Sequence, residues 1–199
     1  MSLEYVGTLT RLGAGTISLT ALTGGISSSV AEGDIVFVLA GGDTSATTNL
    51  DMSAVVSTSG YSLVTELYSN STQDANFAVF SKVMGSSPDA SVTLTSAAAN
   101  SRVYVWRGVD STTPLDTTTT TATGTGPNPN SPSVTPITTG AVVLSLGTTN
   151  IYTTQMAPSG YGNVANNSVC VAASKAWTSG AEDPAAWTGG SGGAYAWCA

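Results

Sequence analysis

The chain has 199 residues, a formal net charge of −7 and no histidine, and only 9% of its residues are charged. Serine and threonine fill 58 positions, so hydroxyl groups make up most of the polar surface. The length fits a single domain with a sizeable core. The five cations are scattered, which excludes the basic stripe that nucleic-acid binding requires. No apolar stretch is long enough to cross a membrane.

The start of the chain carries no targeting signal. Residues 1–10 contain neither the basic stretch nor the apolar stretch that begins a secretory signal. We therefore expect the protein to be made and folded in a cytosol. Cys170 and Cys198 both lie in apolar segments. Buried, reduced thiols are the favoured interpretation for such a compartment, and a disulfide between the two is the alternative.

A period-two alternation of apolar and polar residues predicts short strands along the first half of the chain. Residues 35–40 are apolar throughout, which is typical of a central strand covered on both faces. Turns rich in glycine, serine, asparagine and aspartate separate the segments. The predicted strands lie at 5–9, 16–22, 35–40, 61–68, 77–83, 91–95 and 102–107.

The middle of the chain breaks this pattern. Residues 110–136 hold a run of five threonines at 117–121, followed by four prolines. A linker between two domains is one interpretation. Each flank alone has too few strands to close a core, however, and the apolar run at 141–146 mirrors the run at 35–40. We therefore interpret 110–136 as a long surface crossover within one domain spanning 1–199.

The last quarter adds predicted strands at 169–177 and 194–199. Many short strands separated by turn residues are typical of sandwiches and jelly rolls. The sequence therefore predicts an all-β fold, a single jelly-roll-like β-sandwich of about ten to twelve short antiparallel strands.

The residues needed for common catalytic sites are missing. Without histidine there is no Ser-His-Asp or Cys-His arrangement and no His-ligated zinc site. Three acidic pairs remain as candidates, at Asp43 and Asp51, at Asp110 and Asp116, and at Glu182 and Asp183, but acidic loop residues usually serve turns. We predict no enzyme activity, no cofactor and no metal; calcium bound by loop carboxylates is the alternative.

Aromatic residues supply the candidate contact site. Trp187 follows Pro184 in a predicted loop, where an aromatic side chain is available to a partner protein or to a glycan. Tyr161 and Tyr152 are the other aromatic candidates. Pro127 and Pro129 are candidates within the crossover, since long loops often become ordered on a partner.

Six segments carry a resemblance, and they cover most of the chain from 32 to 188. They are Glu-Gly-Asp-Ile-Val-Phe-Val at 32–38, Ser-Gly-Tyr-Ser-Leu-Val at 59–64, Ala-Val-Phe-Ser-Lys-Val at 78–83, Arg-Val-Tyr-Val-Trp-Arg-Gly-Val-Asp-Ser-Thr-Thr-Pro-Leu-Asp at 102–116, Ala-Pro-Ser-Gly-Tyr at 157–161 and Asp-Pro-Ala-Ala-Trp-Thr at 183–188. These segments resemble a family of small β-rich virion structural proteins of tailed bacteriophages. Tyr61 stands where tryptophan is common in that family.

The resemblance implies a virion structural protein, of the capsid decoration (cement) type or a head or tail appendage. We therefore expect a protein that is made in the host bacterial cytoplasm, lies on the capsid surface and binds the major capsid protein or other virion proteins. A homo-oligomer is implied, with a trimer favoured. The alternative is a tail or head-fibre domain that binds host surface glycan through loop aromatics.

Overall fold

A computed structural model describes residues 2–42, 48–71, 73–95, 100–149, 154–166, 169–190 and 195–199. The regular structure in these ranges consists of twelve β-strands and no helix, which confirms the predicted all-β sandwich. Within the same ranges, no helix is long and apolar enough to cross a membrane.

The strands form two five-stranded antiparallel sheets and one small sheet. Each five-stranded sheet comes from one half of the chain. The first sheet has the order β1 (Glu4–Leu12), β7 (Asn100–Arg107), β3 (Ile35–Gly42), β5 (Ala75–Val83) and β4 (Ser62–Ser69). The second sheet has the order β8 (Thr123–Thr125), β12 (Ala196–Cys198), β9 (Val142–Thr149), β11 (Cys170–Ala176) and β10 (Gly162–Ala165). The small sheet pairs β2 (Gly15–Ser18) with β6 (Ser91–Leu94).

The first sheet is covered on both faces, as the unbroken apolar run in β3 predicted. Alternate side chains of a strand point to opposite faces. Val36 and Val38 therefore face the small sheet, where they pack with Ile17. Phe37 and Leu39 face the second sheet, in a cluster that includes residues from both halves of the chain.

The two large sheets are in close contact at Gly41. A methyl group added at Gly41 would lie 2.8 Å from Thr148 Oγ1 and 3.0 Å from Cys170 Sγ, so only glycine fits there. At the same end, the buried Arg102 donates from Nε to the Cys170 carbonyl at 3.1 Å. Cys170 and Cys198 are both buried and form no disulfide, which confirms the thiol interpretation.

The two large sheets repeat one strand arrangement. The order β1-β7-β3-β5-β4 corresponds, element by element, to β8-β12-β9-β11-β10. The registers correspond as well, since Val36 pairs with Lys82 in the first sheet and Val143 pairs with Lys175 in the second. The chain thus folds as two copies of a five-stranded unit packed face to face.

The edge strands β4 and β10, one in each large sheet, support the same correspondence. The pair Ser62 and Ser81 in the first sheet matches Gly162 and Ser174 in the second, and an irregularity follows directly in both. A Ser-Gly-Tyr turn precedes each edge strand, at 59–61 and 159–161. Its glycine has a φ of 85° in the first turn and 81° in the second, in the left-handed region. Both units therefore use the same turn.

The segment predicted as a surface crossover contributes to the second sheet. Its exposed first part, residues 110–121, leads into β8, whose neighbouring Ala122 exchanges backbone hydrogen bonds with Ala199. Its second part crosses the outer face of the second sheet. There Ser131 Oγ lies 2.9 Å from Ser145 Oγ, and Val134 pairs with Glu182. Residues 129, 131 and 136 are buried, so this half of the crossover belongs to the core.

Candidate functional site

Trp187 is fully buried, so the prediction that it faces a partner is wrong. Its Nε1 donates to Ser145 Oγ at 3.0 Å, and its ring packs with Val143, Val171 and Ala173 on the outer face of the second sheet. The sequence placed it correctly in a loop. That loop covers an apolar sheet face, however, and the tryptophan is the side chain that fills the space beneath it.

The other predicted contact residues are also largely withdrawn from the surface. Tyr161 is buried, and its hydroxyl donates to Glu182 Oε1 at 3.3 Å. Pro129 is buried, and its carbonyl accepts from the Trp187 amide. Pro127 is partly buried, while Tyr152 lies outside the described residues. Those of them that the structure describes therefore form no exposed aromatic platform.

The acidic pairs serve turns and ion pairs. The hydroxyl and amide of Ser53 lower the pKa of Asp51, and its predicted partner Asp43 lies outside the described residues. Hydrogen bonds from the backbone amides of Thr113 and Thr112 lower the pKa of Asp110. A carboxyl with a lowered pKa stays ionised at neutral pH, which does not suit a general acid.

Asp116 and Glu182 are engaged in the same way. Asp116 accepts from the amides of Ile137 and Thr138, and hydrogen bonds from these two residues lower its pKa. Glu182 forms an ion pair with Lys175 at 2.9 Å. Across the described residues, no group of three or more acidic or cysteine side chains is placed to hold a metal ion.

A cleft lies between the two large sheets. It has a volume of about 690 Å³ and lies at the end of the sandwich away from Gly41. Ile35, Phe37 and Val79 of the first sheet form one wall, and Leu144 and Leu146 of the second form the other. The threonine run at 117–121 and the prolines at 132 and 136 also line it. The cleft is therefore apolar inside and surrounded by hydroxyl groups.

One edge of β9 faces this cleft. On its other edge β9 pairs with β11 from Val142 to Thr148. On the cleft side, β12 pairs with β9 only at Thr148 and Thr149. No described strand pairs with 142–146 on that side, so alternate backbone N–H and C=O groups there point into the cleft.

The corresponding edge of β3 in the first sheet provides a comparison for this edge of β9. The register makes Ile35, Phe37 and Leu39 the counterparts of 142, 144 and 146. All three are buried, and β7 is their neighbouring strand in the same sheet. Val142, Leu144 and Leu146 are only partly buried. The difference follows from the neighbouring strand, since β7 covers the whole of this edge in the first sheet.

The charge of the cleft is acidic. Asp110 and Asp116 are the charged side chains that line it, and no lysine or arginine does. The cleft is therefore suited to holding an apolar, uncharged or basic molecule.

Sequence reasoning missed this cleft because it depends on which strands are neighbours. The apolar run at 141–146 was predicted as a strand buried like β3, which is correct for its type and wrong for its exposure. The sequence repeats Ser-Gly-Tyr at 59–61 and 159–161, and Ser-Lys at 81–82 and 174–175. The two equivalent units could have been recognised from these repeats.

No protein-family model, no curated protein and no solved structure matches this chain.

Proposed function

We propose that the protein is a non-enzymatic structural protein of a tailed-phage virion, a capsid decoration protein that binds the outer shell and stabilises it. The observation that carries the proposal is the cleft, whose walls between the two large sheets are apolar. A concave apolar surface of this kind is suited to holding apolar side chains of a partner protein.

The surface composition supports an assembly role. Only 9% of the residues are charged, so covering the surface with a partner requires the desolvation of few charges. The resemblance to phage virion proteins supplies the class of partner, namely the major capsid protein or another virion protein. Each bound copy stabilises the shell by mass action if it binds assembled shell better than free subunits.

Glycan binding has no comparable support in the described residues. Trp187 and Tyr161, the aromatics expected to stack on sugar, are buried. We therefore keep glycan recognition only as an outcome of the test below. The oligomeric state, with a trimer favoured, stays a prediction, and native mass spectrometry of the purified protein measures it.

The test uses purified protein and shells that lack decoration. We expect the protein to sediment with the shells in a saturable ratio and to raise their thermal stability. Shells already saturated with unlabelled protein are the control and must exclude added labelled protein. Absence of co-sedimentation, together with saturable binding on a glycan array, would overturn the proposal in favour of a fibre domain.

A further inference from the structure

We infer that the two units of the chain bind the same site on two identical partner subunits, so that one chain bridges two neighbouring subunits of the shell. The inference rests on the proposed function in one respect, namely that the partner is a shell built from many copies of one protein. Two observations carry it. The units are related by an approximate two-fold axis, and this axis places equivalent turns of both units at one end of the sandwich.

The two-fold axis follows from the contact between Gly41 and Thr148. The registers make these residues counterparts, because each lies five residues after the valine that pairs with Lys82 or Lys175. A residue that contacts its own counterpart lies next to the axis that relates the two. Other contacts between the sheets agree with this axis. Strand β5 contacts β12 and β7 contacts β11, and exchanging the two units turns the first contact into the second.

The axis runs along the strands. Gly41 and Thr148 lie near the last residues of β3 and β9, whereas Ile35 and Val142, their first residues, line the cleft at the other end. The two strands therefore run in the same direction. A two-fold rotation keeps that direction only when its axis is parallel to the strands. Corresponding turns of the two units therefore lie at the same end of the molecule.

Two turns of each unit lie at the end where β3 and β9 begin. The first turn, at 31–34 or 138–141, comes directly before these strands and is closed by a backbone hydrogen bond of 3.2 Å or 3.1 Å. The second is the Ser-Gly-Tyr turn at 59–61 or 159–161, whose glycine lies beside the lysine of the same unit. This end of the sandwich therefore presents the same pair of turns twice.

The exposed groups at this end match as well. Ser59 and Ser159 are exposed, and each turn stands beside a partly exposed lysine that forms an ion pair with a carboxylate. At the opposite end the counterparts differ, since the exposed Leu12 corresponds to Thr123. A surface that repeats its hydroxyl groups and paired charges about a two-fold axis fits one site on two copies of the same protein.

Two sites on one folded chain strengthen its binding. When the first site is occupied, the second binds at a high effective concentration, so that the pair binds about 10²–10⁴ times more tightly than either site alone. Both units recognise the same site, and each shell subunit carries that site once. Saturation should therefore be reached at about one chain for every two subunits.

The test uses undecorated shells and the whole protein with tyrosine placed in the turns, as Ser59→Tyr, Ser159→Tyr and the double variant. The control is Leu12→Tyr, which adds the same side chain at an exposed position of the opposite end. Sedimentation with shells measures the dissociation constant and the bound ratio. We expect each single variant to weaken binding by a similar factor of at least about 100, and the double variant to lose binding. The control should change the dissociation constant by less than about twofold.

The outcomes separate this inference from the proposed function. A parent protein that does not bind shells overturns both. If the parent binds with more than one chain for every two subunits, only the bridging is overturned. A loss caused by one single variant alone, by neither, or equally by Leu12→Tyr has the same meaning. Far-UV circular dichroism checks that the variants fold, and the bound ratio of the parent keeps the test decisive if one does not.

Discussion

Lys82 and Lys175 occupy the same place in the two large sheets. The ammonium of Lys82 lies 5.4 Å from the centre of the Tyr61 ring, and that of Lys175 lies 5.8 Å from the centre of the Tyr161 ring. Both tyrosines follow the Ser-Gly turn that leads into an edge strand. Each lysine therefore joins the turn of its unit to the neighbouring strand, through a cation–π contact made in the same way twice.

Each of these lysines also forms an ion pair, with Asp89 at 2.7 Å and with Glu182 at 2.9 Å. We expect Lys82→Met and Lys175→Met each to lower the free energy of unfolding by about 1 kcal/mol, because the pairs are partly exposed and screened by water. The two losses should add in the double variant, since the clusters lie in different sheets. Urea denaturation measures all three. A large loss from one variant alone would contradict the equivalence of the two units.

Trp187 tests the corrected site assignment. Trp187→Ala removes a fully buried ring and the hydrogen bond to Ser145, so the free energy of unfolding should fall by about 3–5 kcal/mol. Trp177→Ala is the matched control, because Trp177 is only partly buried. This substitution should lower the free energy of unfolding by less than Trp187→Ala does. Chemical denaturation gives both values. A Trp187→Ala protein of unchanged stability would mean that the ring lies at the surface.

Gly41 tests the close approach of the sheets. A methyl group at this position would lie 2.8 Å from Thr148 Oγ1, which forces the sheets to shift. We expect Gly41→Ala to lower the free energy of unfolding by about 1–3 kcal/mol. Gly85→Ala provides the control, because nothing lies within 4 Å of the added methyl group there. Its free energy of unfolding should stay within about 0.5 kcal/mol of that of the parent protein. Equal effects of the two substitutions would argue against the tight contact.

The two thiols predict a loss of stability in alkali. Burial raises the pKa of Cys170 to about 11 and that of Cys198 to about 12, from an ordinary value of 9.0. The unfolded chain therefore releases these protons first. Their contribution to stability is complete below pH 9 and is lost as the pH rises towards 11 and 12.

The measurement is the urea midpoint between about pH 8 and about pH 11, for the parent protein and for Cys170→Ala. The variant should show the shallower decline over this range. Native protein should also resist alkylation by iodoacetamide at about pH 8, and react fully after unfolding. Rapid alkylation of the folded protein would show that a thiol is accessible.

Local patterns were sufficient for part of this structure. The unbroken apolar run at 35–40 predicted a central strand, and the turn at Gly60 was placed correctly between segments. The apolar surroundings of Cys170 predicted its burial. Each of these features depends on a few consecutive residues, because the order of apolar and polar residues along a strand indicates which of its side chains are buried.

The tertiary structure decided the rest. Residues 142–146 are as apolar as residues 35–39, yet 142–146 line a cleft and 35–39 are buried. The reason is that β3 has a full-length neighbour on both edges, whereas β9 has one on a single edge. Trp187 is buried because its loop folds back over a sheet face. Strand neighbours and loop coverage depend on contacts between residues far apart in the chain. The sequence by itself determined an all-β sandwich without the histidine of common catalytic sites, and the pairing of its strands decided which of its apolar stretches are buried.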